Sequence, residues 1–189
     1  MKIKLFVAKG RLKLKPTQIL AFGFATLILI GAFLLNLPMA SRDGQSVGFV
    51  NALFTATSAV CVTGLVVVDT YSQFTVFGQL VIMALIQMGG LGIMTMATLI
   101  FLILGKKITL RERLVMQEAL NQENLSGLVR LTLHIMVTTL IFEGTGAIIL
   151  ALRFARIYGV SRGIYYGVFH SISAFNNAGF DLVGNYQNL

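Results

Sequence analysis

Two segments of the sequence combine small residues with a glycine in a pattern that could offer backbone carbonyl groups to a cation. They run from Ala52 to Leu65 and from Gly167 to Phe180. Each passes from an apolar, helix-like stretch into small residues, as expected where a short re-entrant helix leads into an ion filter. Backbone carbonyls can replace the water that a potassium ion loses without adding fixed charge. We interpret both segments as candidate parts of an ion pore.

The candidate ion-binding residues are those whose carbonyl oxygens would line the pore. In the first segment they are Val60, Cys61, Val62, Thr63 and Gly64. In the second segment they are Phe175, Asn176, Asn177, Ala178 and Gly179. Glycine adopts backbone angles that other residues reach only with strain, and it lets chains approach closely. We expect these positions to bind potassium, with sodium as a second candidate ion and no organic cofactor.

The two segments belong to an internal repeat with a shift of 115 positions, the interval between Gly64 and Gly179. Three further identities at this shift are Phe54 with Phe169, Ser58 with Ser173, and Ala59 with Ala174. Ser46 and Ser161 also correspond, and they lie where each short helix should begin. We predict that these two serines cap the helix N-termini.

The composition predicts that the surrounding elements lie in a membrane. Apolar residues make up 56% of the chain and charged residues 12%, with a mean hydropathy of +0.82. Thr17 to Leu37 and Thr70 to Gly105 contain no charge, whereas a span needs roughly 20 apolar residues. A third apolar run, Leu131 to Leu152, is long enough to span although it carries His134 and Glu143. We read all three as membrane-spanning segments.

The basic residues indicate an orientation. Ten flank the first two spans on one side of the membrane: Lys2, Lys4, Lys9, Arg11, Lys13, Lys15, Lys106, Lys107, Arg111 and Arg113. Four lie on the other side: Arg42, Arg153, Arg156 and Arg162. Since cytoplasmic loops carry the excess of Lys and Arg, the N-terminus is predicted to be cytoplasmic. The net charge of +8 is then explained by topology and anionic lipid, and no nucleic-acid partner is expected.

The predicted fold class is an all-α membrane protein built from repeated span, pore helix, filter and span units. Residues 1–15 form a basic cytoplasmic N-terminus and 16–104 the first unit. Residues 105–126 form an amphipathic cytoplasmic connector and 127–189 an incomplete second unit. A filter ring needs about four pore segments, and this chain offers two. The chain therefore reads as truncated and should not form a complete pore alone.

The sequence offers little to an enzyme. Cys61 is the single cysteine and has no histidine nearby in sequence, whereas a nucleophile needs an adjacent base. His134 and Glu143 lie on different faces of a helix. No catalytic residue is assigned, and we do not expect an enzyme.

Several polar and glycine positions allow two interpretations. Glu143 in an apolar span suggests a functional site, yet burial against a pore helix with a hydroxyl or backbone partner would also hold it there. We favour this structural role, in which the carboxyl group can be protonated. Gly89, Gly90 and Gly92 could form a gating hinge, but close helix packing is the commoner use of such small residues. We favour close packing.

Two acids and a histidine lie close to the candidate filters. Asp69 and Asp181 could enrich cations at the pore mouth or be ordinary loop acids. His170 is more easily explained as a packed, hydrogen-bonded side chain than as a ligand.

Four motifs carry a resemblance to a known family. They are Thr55–Leu65, Gly89–Gly92, Gln117–Asn121 and Ser173–Phe180. Together they resemble the Trk/Ktr/HKT potassium transporter superfamily, and in particular the membrane subunits of its Ktr branch. The resemblance covers nearly the whole chain after about Lys15.

The resemblance implies potassium uptake through a pseudo-fourfold pore of four fused units, in a multi-pass protein of the cell (plasma) membrane. This chain would supply the first unit and most of the second. The implied partners are a second copy of the full-length subunit, a cytosolic nucleotide-binding ring of the KtrA type and the lipid bilayer. Glycine at both filter positions is similar to the potassium-selective members. The alternatives are a subunit of a homotetramer-like cation channel and a non-conducting structural membrane fragment.

Overall fold

The computed structural model describes residues 15–93, 95–98, 108–120, 122 and 127–184. The helices are α1 (Pro16–Leu35), α2 (Phe49–Val60), α3 (Thr70–Gln73), α4 (Val76–Gly90), α5 (Leu110–Ala119), α6 (Leu128–Tyr158) and α7 (Val160–Phe175). A 3-10 turn covers Pro38–Ala40. These described residues form no β-strand, and one isolated bridge joins Ser41 to Phe74. The all-α class is confirmed for them, whereas most of the predicted basic N-terminus and 8 of the 22 residues of the connector lie outside them.

Within the part of the chain that the structure describes, two helices are long and apolar enough to cross a membrane. They are α1, with 20 residues, and α6, with 31 residues. Proline in the first turn of α1 suits a helix start. Both helices leave large apolar side chains exposed, among them Phe33 on α1 and Leu140 and Ile149 on α6. Such surfaces fit a lipid environment, since a helix that is apolar on most sides is typical of a membrane span.

The second predicted span, within the charge-free run from Thr70 to Gly105, is not one continuous helix over its described part. Helix α4 begins at Val76, where the Thr75 hydroxyl accepts a hydrogen bond from Gly78 N. It ends at Gly90, and Gly92 follows with a φ of +81°. Helical backbone resumes at residue 93 and at 95–98. A left-handed residue cannot continue a right-handed helix, so Gly92 interrupts the run.

The short helices α2 and α7 are held inside the bundle. Helix α2 packs against α1 and α4, while α7 packs along α6 and also contacts α4. One core cluster joins the two halves of the chain and includes Ala56, Ile82, Ile86, Phe169 and Phe180. Helix α4 thus packs against both α2 and α7.

The predicted serine caps are wrong. Helix α2 begins after Gly48, which has a φ of +89° and gives no side-chain cap. Ser46 instead accepts a hydrogen bond from Gly48 N at 3.1 Å and donates to Asn36 Oδ1 at 2.6 Å. Ser161 lies within α7, which begins directly after Gly159. In both cases a glycine turns the chain sharply enough for the helix to start at once, so the serine is not at the boundary.

Candidate functional site

Helices α2 and α7 end in the same turn. In the first, the N–H of Thr63 donates to the carbonyl of Ser58 at 3.0 Å, and in the second Ala178 donates to Ser173 at 2.7 Å. Each turn has a second hydrogen bond, between residues three positions apart in sequence. Val62 N donates to Ala59 O, and Asn177 N donates to Ala174 O. This pair of bonds defines a Schellman motif, in which a left-handed residue terminates the helix.

The left-handed residues repeat with the same interval as the sequence. Val62 has a φ of 49° and Asn177 a φ of 57°, and two positions later Gly64 and Gly179 have φ values of 74° and 71°. Asparagine tolerates this region, but for a β-branched residue it is unusual and strained. Such strain persists only where the surrounding structure imposes it, and it concentrates at functional sites.

The two serines of the repeat, Ser58 and Ser173, stabilise the two turns by hydrogen bonds. Ser58 and Ser173 are both buried. The hydroxyl groups of Ser58 and Thr63 lie 2.9 Å apart in a hydrogen bond, and Ser173 donates to the carbonyl of Phe180 at 2.6 Å. Sequence reasoning found these serines as repeat identities but missed this role. Their position next to small residues, six positions before Gly64 and Gly179, is the sequence feature that could have indicated it.

The two turns touch at their glycines. A Cβ atom added to Gly64 would lie 3.0 Å from the carbonyl oxygen of Ala178 and 3.5 Å from Cα of Gly179. A Cβ atom added to Gly179 would lie 3.3 Å from Cα of Gly64. Residues 115 positions apart in sequence are therefore neighbours, with their backbones in contact.

The ten predicted site residues fall into two environments. Val60 and Phe175 are the last residues of α2 and α7. The Val60 carbonyl packs against Gly89, and the Phe175 ring stacks on Phe142 with centroids 6.5 Å apart. The other eight residues form the turns themselves, Cys61–Gly64 and Asn176–Gly179.

The carbonyl groups of the two turns take no part in the hydrogen bonds that hold the turns together. Within the described part of the chain, no recorded hydrogen bond ends on a carbonyl oxygen of Cys61–Gly64 or Asn176–Gly179. Backbone carbonyls normally find a partner when they are withheld from water. The eight carbonyl groups of the two touching turns therefore lack a hydrogen-bond donor among the described residues.

Glu143 lies behind the second turn. It is 7% exposed, and its carboxylate accepts hydrogen bonds from the side chains of Gln87 and Asn176. The Ser171 hydroxyl donates to its backbone carbonyl at 2.7 Å. The expected contact with the second short helix, α7, is present through Ser171. The partners of the carboxylate are side-chain amides of Gln87 and Asn176, which the sequence did not indicate.

Gly89 and Gly90 pack closely, as predicted, whereas Gly92 does not. A Cβ atom at Gly89 would overlap the carbonyl of Val60, and one at Gly90 would overlap the side-chain amide of Asn176. Nothing lies within 4 Å of a Cβ atom at Gly92, which instead breaks the helix. Helix α4 therefore lies directly against both helix-to-turn boundaries.

The flanking polar residues have local structural partners. Asp69 Oδ1 accepts hydrogen bonds from the N–H and hydroxyl of Ser72, and Asp181 Oδ1 accepts from Val183 N. His170 is packed and hydrogen-bonded, as predicted: its Nδ1 lies 2.8 Å from the carbonyl of Tyr166, and its Nε2 accepts from Leu182 N at 3.2 Å. His134 is exposed near the start of α6. Among the described residues, no three His, Cys, Asp or Glu side chains form a metal-ligand cluster.

Comparison with known proteins places these turns in a family context. The family model TrkH, described as a cation transport protein, matches residues 15–186. The Ktr system potassium uptake protein B of Bacillus subtilis is 54% identical over 88% of this chain and 37% of its own length. The potassium/sodium uptake protein NtpJ of Enterococcus hirae is 46% identical over 93% of this chain and 39% of its own length. Ktr system potassium uptake protein B of Vibrio alginolyticus is 44% identical over 87% and 36%.

The chain spans less than two fifths of the length of these curated relatives, and it corresponds to their N-terminal part. The match to the family model covers nearly all of the described residues. The resemblance found in the sequence motifs is confirmed by both comparisons. This chain belongs to the TrkH family of cation transport proteins.

Proposed function

We propose that this chain forms part of the path by which potassium ions cross the cell membrane. The turns Cys61–Gly64 and Asn176–Gly179 would offer their carbonyl oxygens to the ion as parts of a selectivity filter. The observation that carries this proposal is that the two turns touch at Gly64 and Gly179, and that their eight carbonyl groups accept no hydrogen bond from the described residues. The relatives named as potassium uptake proteins support the choice of ion.

The ends of α2 and α7 suit a cation as well. Both helices direct their C-termini at the turns. The C-terminal end of a helix carries a partial negative charge of roughly half an elementary unit. In this proposal α2 and α7 are pore helices, and two further helix-to-turn segments complete the ring.

The complete protein would work as a dimer in the plasma membrane, with its N-terminus in the cytoplasm and a cytosolic nucleotide-binding ring as regulator. Helix α5 is the described part of the predicted cytoplasmic connector. It is capped by Thr109 and Glu112, packs against α1 and α6, and exposes Leu110 and Leu114. Those exposed side chains offer a surface for the regulatory partner.

Ion flux tests the proposed function directly. The complete open reading frame that encodes this chain would be reconstituted into vesicles and supplied with radioactive rubidium as a potassium analogue. We expect uptake that potassium inhibits more strongly than sodium. Empty vesicles and vesicles with an unrelated membrane protein serve as controls. Uptake no faster than in empty vesicles would overturn the proposal.

A further inference from the structure

Three side chains from different elements close a ring of hydrogen bonds behind the second turn. Gln87 on α4 donates from Nε2 to Glu143 Oε2 at 3.0 Å. Asn176, which follows α7, donates from Nδ2 to Gln87 Oε1 at 3.1 Å and to Glu143 Oε1 at 3.2 Å. The same Nδ2 lies 2.9 Å from the carbonyl of Ile172. Each pair in the ring is joined by one hydrogen bond.

The directions of these bonds fit an ionised carboxylate at Glu143. Both of its oxygens accept, and an ionised carboxylate is an acceptor only. Burying such a charge is costly unless it is hydrogen-bonded. Its side-chain partners among the described residues are the two amides, with no Lys or Arg. Neutral amides stabilise a negative charge without cancelling it, so its field remains available to a nearby cation.

The ring also fixes the start of the second turn. Asn176 precedes the left-handed Asn177, and its side chain packs against Gly90, where a Cβ atom would overlap it. The corresponding residue in the first turn is Cys61, whose side chain is exposed. The two turns therefore have similar backbone angles but different side-chain contacts. Among the described residues, the second turn is hydrogen-bonded to a buried acid and the first is not.

We propose that Glu143 is a positioning residue for the cation at the second turn. Its carboxylate holds Asn176, and through it the backbone of Asn176–Gly179, and its negative charge favours a cation at that turn. This inference rests on the proposed function. It assigns to α6 a part in ion affinity, in addition to any part in spanning the membrane.

Exchanging Gln87 and Glu143 tests whether potassium affinity depends on one carboxylate within an intact ring of hydrogen bonds. In Glu143→Gln, Asn176 Nδ2 still requires an oxygen from each neighbour, so the amide nitrogens at positions 87 and 143 face each other. In Gln87→Glu two carboxylates face each other. The double variant Gln87→Glu/Glu143→Gln restores one carboxylate and three satisfied bonds, because the amide now at position 143 donates to the carboxylate now at position 87. The double variant should recover the potassium affinity that each single change loses.

The readout is the potassium concentration that half-inhibits rubidium uptake by the complete protein. In Glu143→Gln we expect this concentration to rise roughly tenfold, the effect of losing a hydrogen bond to a charged group. In the double variant it should return to within about twofold of the starting protein, as expected for coupled neighbours. Asp43→Asn also replaces a carboxylate by an amide, but at an exposed loop residue. It should leave the half-inhibiting potassium concentration unaltered.

The possible results are distinguishable. If the starting protein takes up no rubidium, the proposed function fails. If it does, and Glu143→Gln changes only the amount of protein, the inference fails and Glu143 is structural. A double variant with the weakened affinity of Glu143→Gln would also overturn it. If Glu143→Gln does not accumulate, the double variant is compared with Gln87→Glu alone. Recovery of potassium affinity in the double variant supports the inference, and no recovery overturns it.

Discussion

At the residue scale, Gly64 carries two requirements at once. Its φ of 74° lies in the left-handed region, and its Cα faces the backbone of Ala178 and Gly179. An alanine there would be strained by the backbone angle and would also press on the Ala178 carbonyl. That carbonyl belongs to the proposed ion path. A single methyl group would thus disturb both turns together.

We predict that Gly64→Ala destabilises the protein by about 1–2 kcal/mol and abolishes most rubidium uptake. Gly144→Ala is the matched control, because Gly144 lies within α6 and nothing is within 4 Å of an added Cβ atom. That change should stabilise the helix by up to about 1 kcal/mol and preserve uptake. Thermal unfolding in detergent and vesicle flux would be measured on both. Normal uptake by Gly64→Ala would contradict the carbonyl role of the first turn.

Some of these residues were predictable from the sequence and others were not. Gly64 and Gly179 could be predicted because glycine is the usual solution for a left-handed position beside another chain. Val62 could not, since a β-branched residue is disfavoured there and only the surrounding packing imposes the angle. The ring of Gln87, Glu143 and Asn176 was also inaccessible, because it depends on three elements that meet only in the fold.

At the scale of elements, α6 and α7 form a tight hairpin joined by Gly159 alone. The two helices approach closely at Gly167, where a Cβ atom would lie 2.6 Å from Ala151 N and 2.7 Å from the carbonyl of Ala147. Small residues on facing sides are what permits this approach. The position of the second turn therefore depends directly on α6.

We predict that Gly167→Leu destabilises this hairpin by about 1–3 kcal/mol, the usual cost of overpacking. Gly144→Leu places the same side chain on an exposed part of α6 and should be nearly neutral. The melting temperatures of the two purified variants in detergent would be compared. Equal melting temperatures would show that α6 and α7 do not pack closely in the complete protein.

The helices were predicted better than their ends. Hydrophobic runs and the repeat indicated α1, α2, α6 and α7, because lipid-facing and core-facing residues give a strong apolar signal. The start of α2 was predicted to within one residue, but Gly48 and Gly159 were missed as the N-cap positions. Either a serine or a glycine can begin a helix, and the sequence alone does not decide between them.

At the scale of the whole molecule, the two halves meet through α4 and the glycine contact, while large apolar surfaces on α1 and α6 remain exposed. The all-α class and the family followed from sequence.

The predicted topology can be tested with single cysteines in a Cys61→Ser background. Asp43 lies between α1 and α2, and Glu118 lies on α5; both are exposed. We expect Asp43→Cys to react with a membrane-impermeant thiol reagent on intact cells and Glu118→Cys to react only after permeabilisation, because basic loops stay inside. Ser72→Cys, also exposed, provides a second outer position. Labelling in the opposite pattern would reverse the proposed orientation.

The length of α6 sets how deep the second turn can lie. Its 31 residues span about 46 Å, against a hydrocarbon core of about 30 Å, and the 16 residues of α7 return about 24 Å. With α6 upright from the inner boundary, the hairpin would leave Asn176 about 22 Å above that boundary, inside the bilayer's outer half. Removing one turn from α6 would lower that point by about 5 Å, so the length of this helix would set how deep in the bilayer the proposed ion site lies.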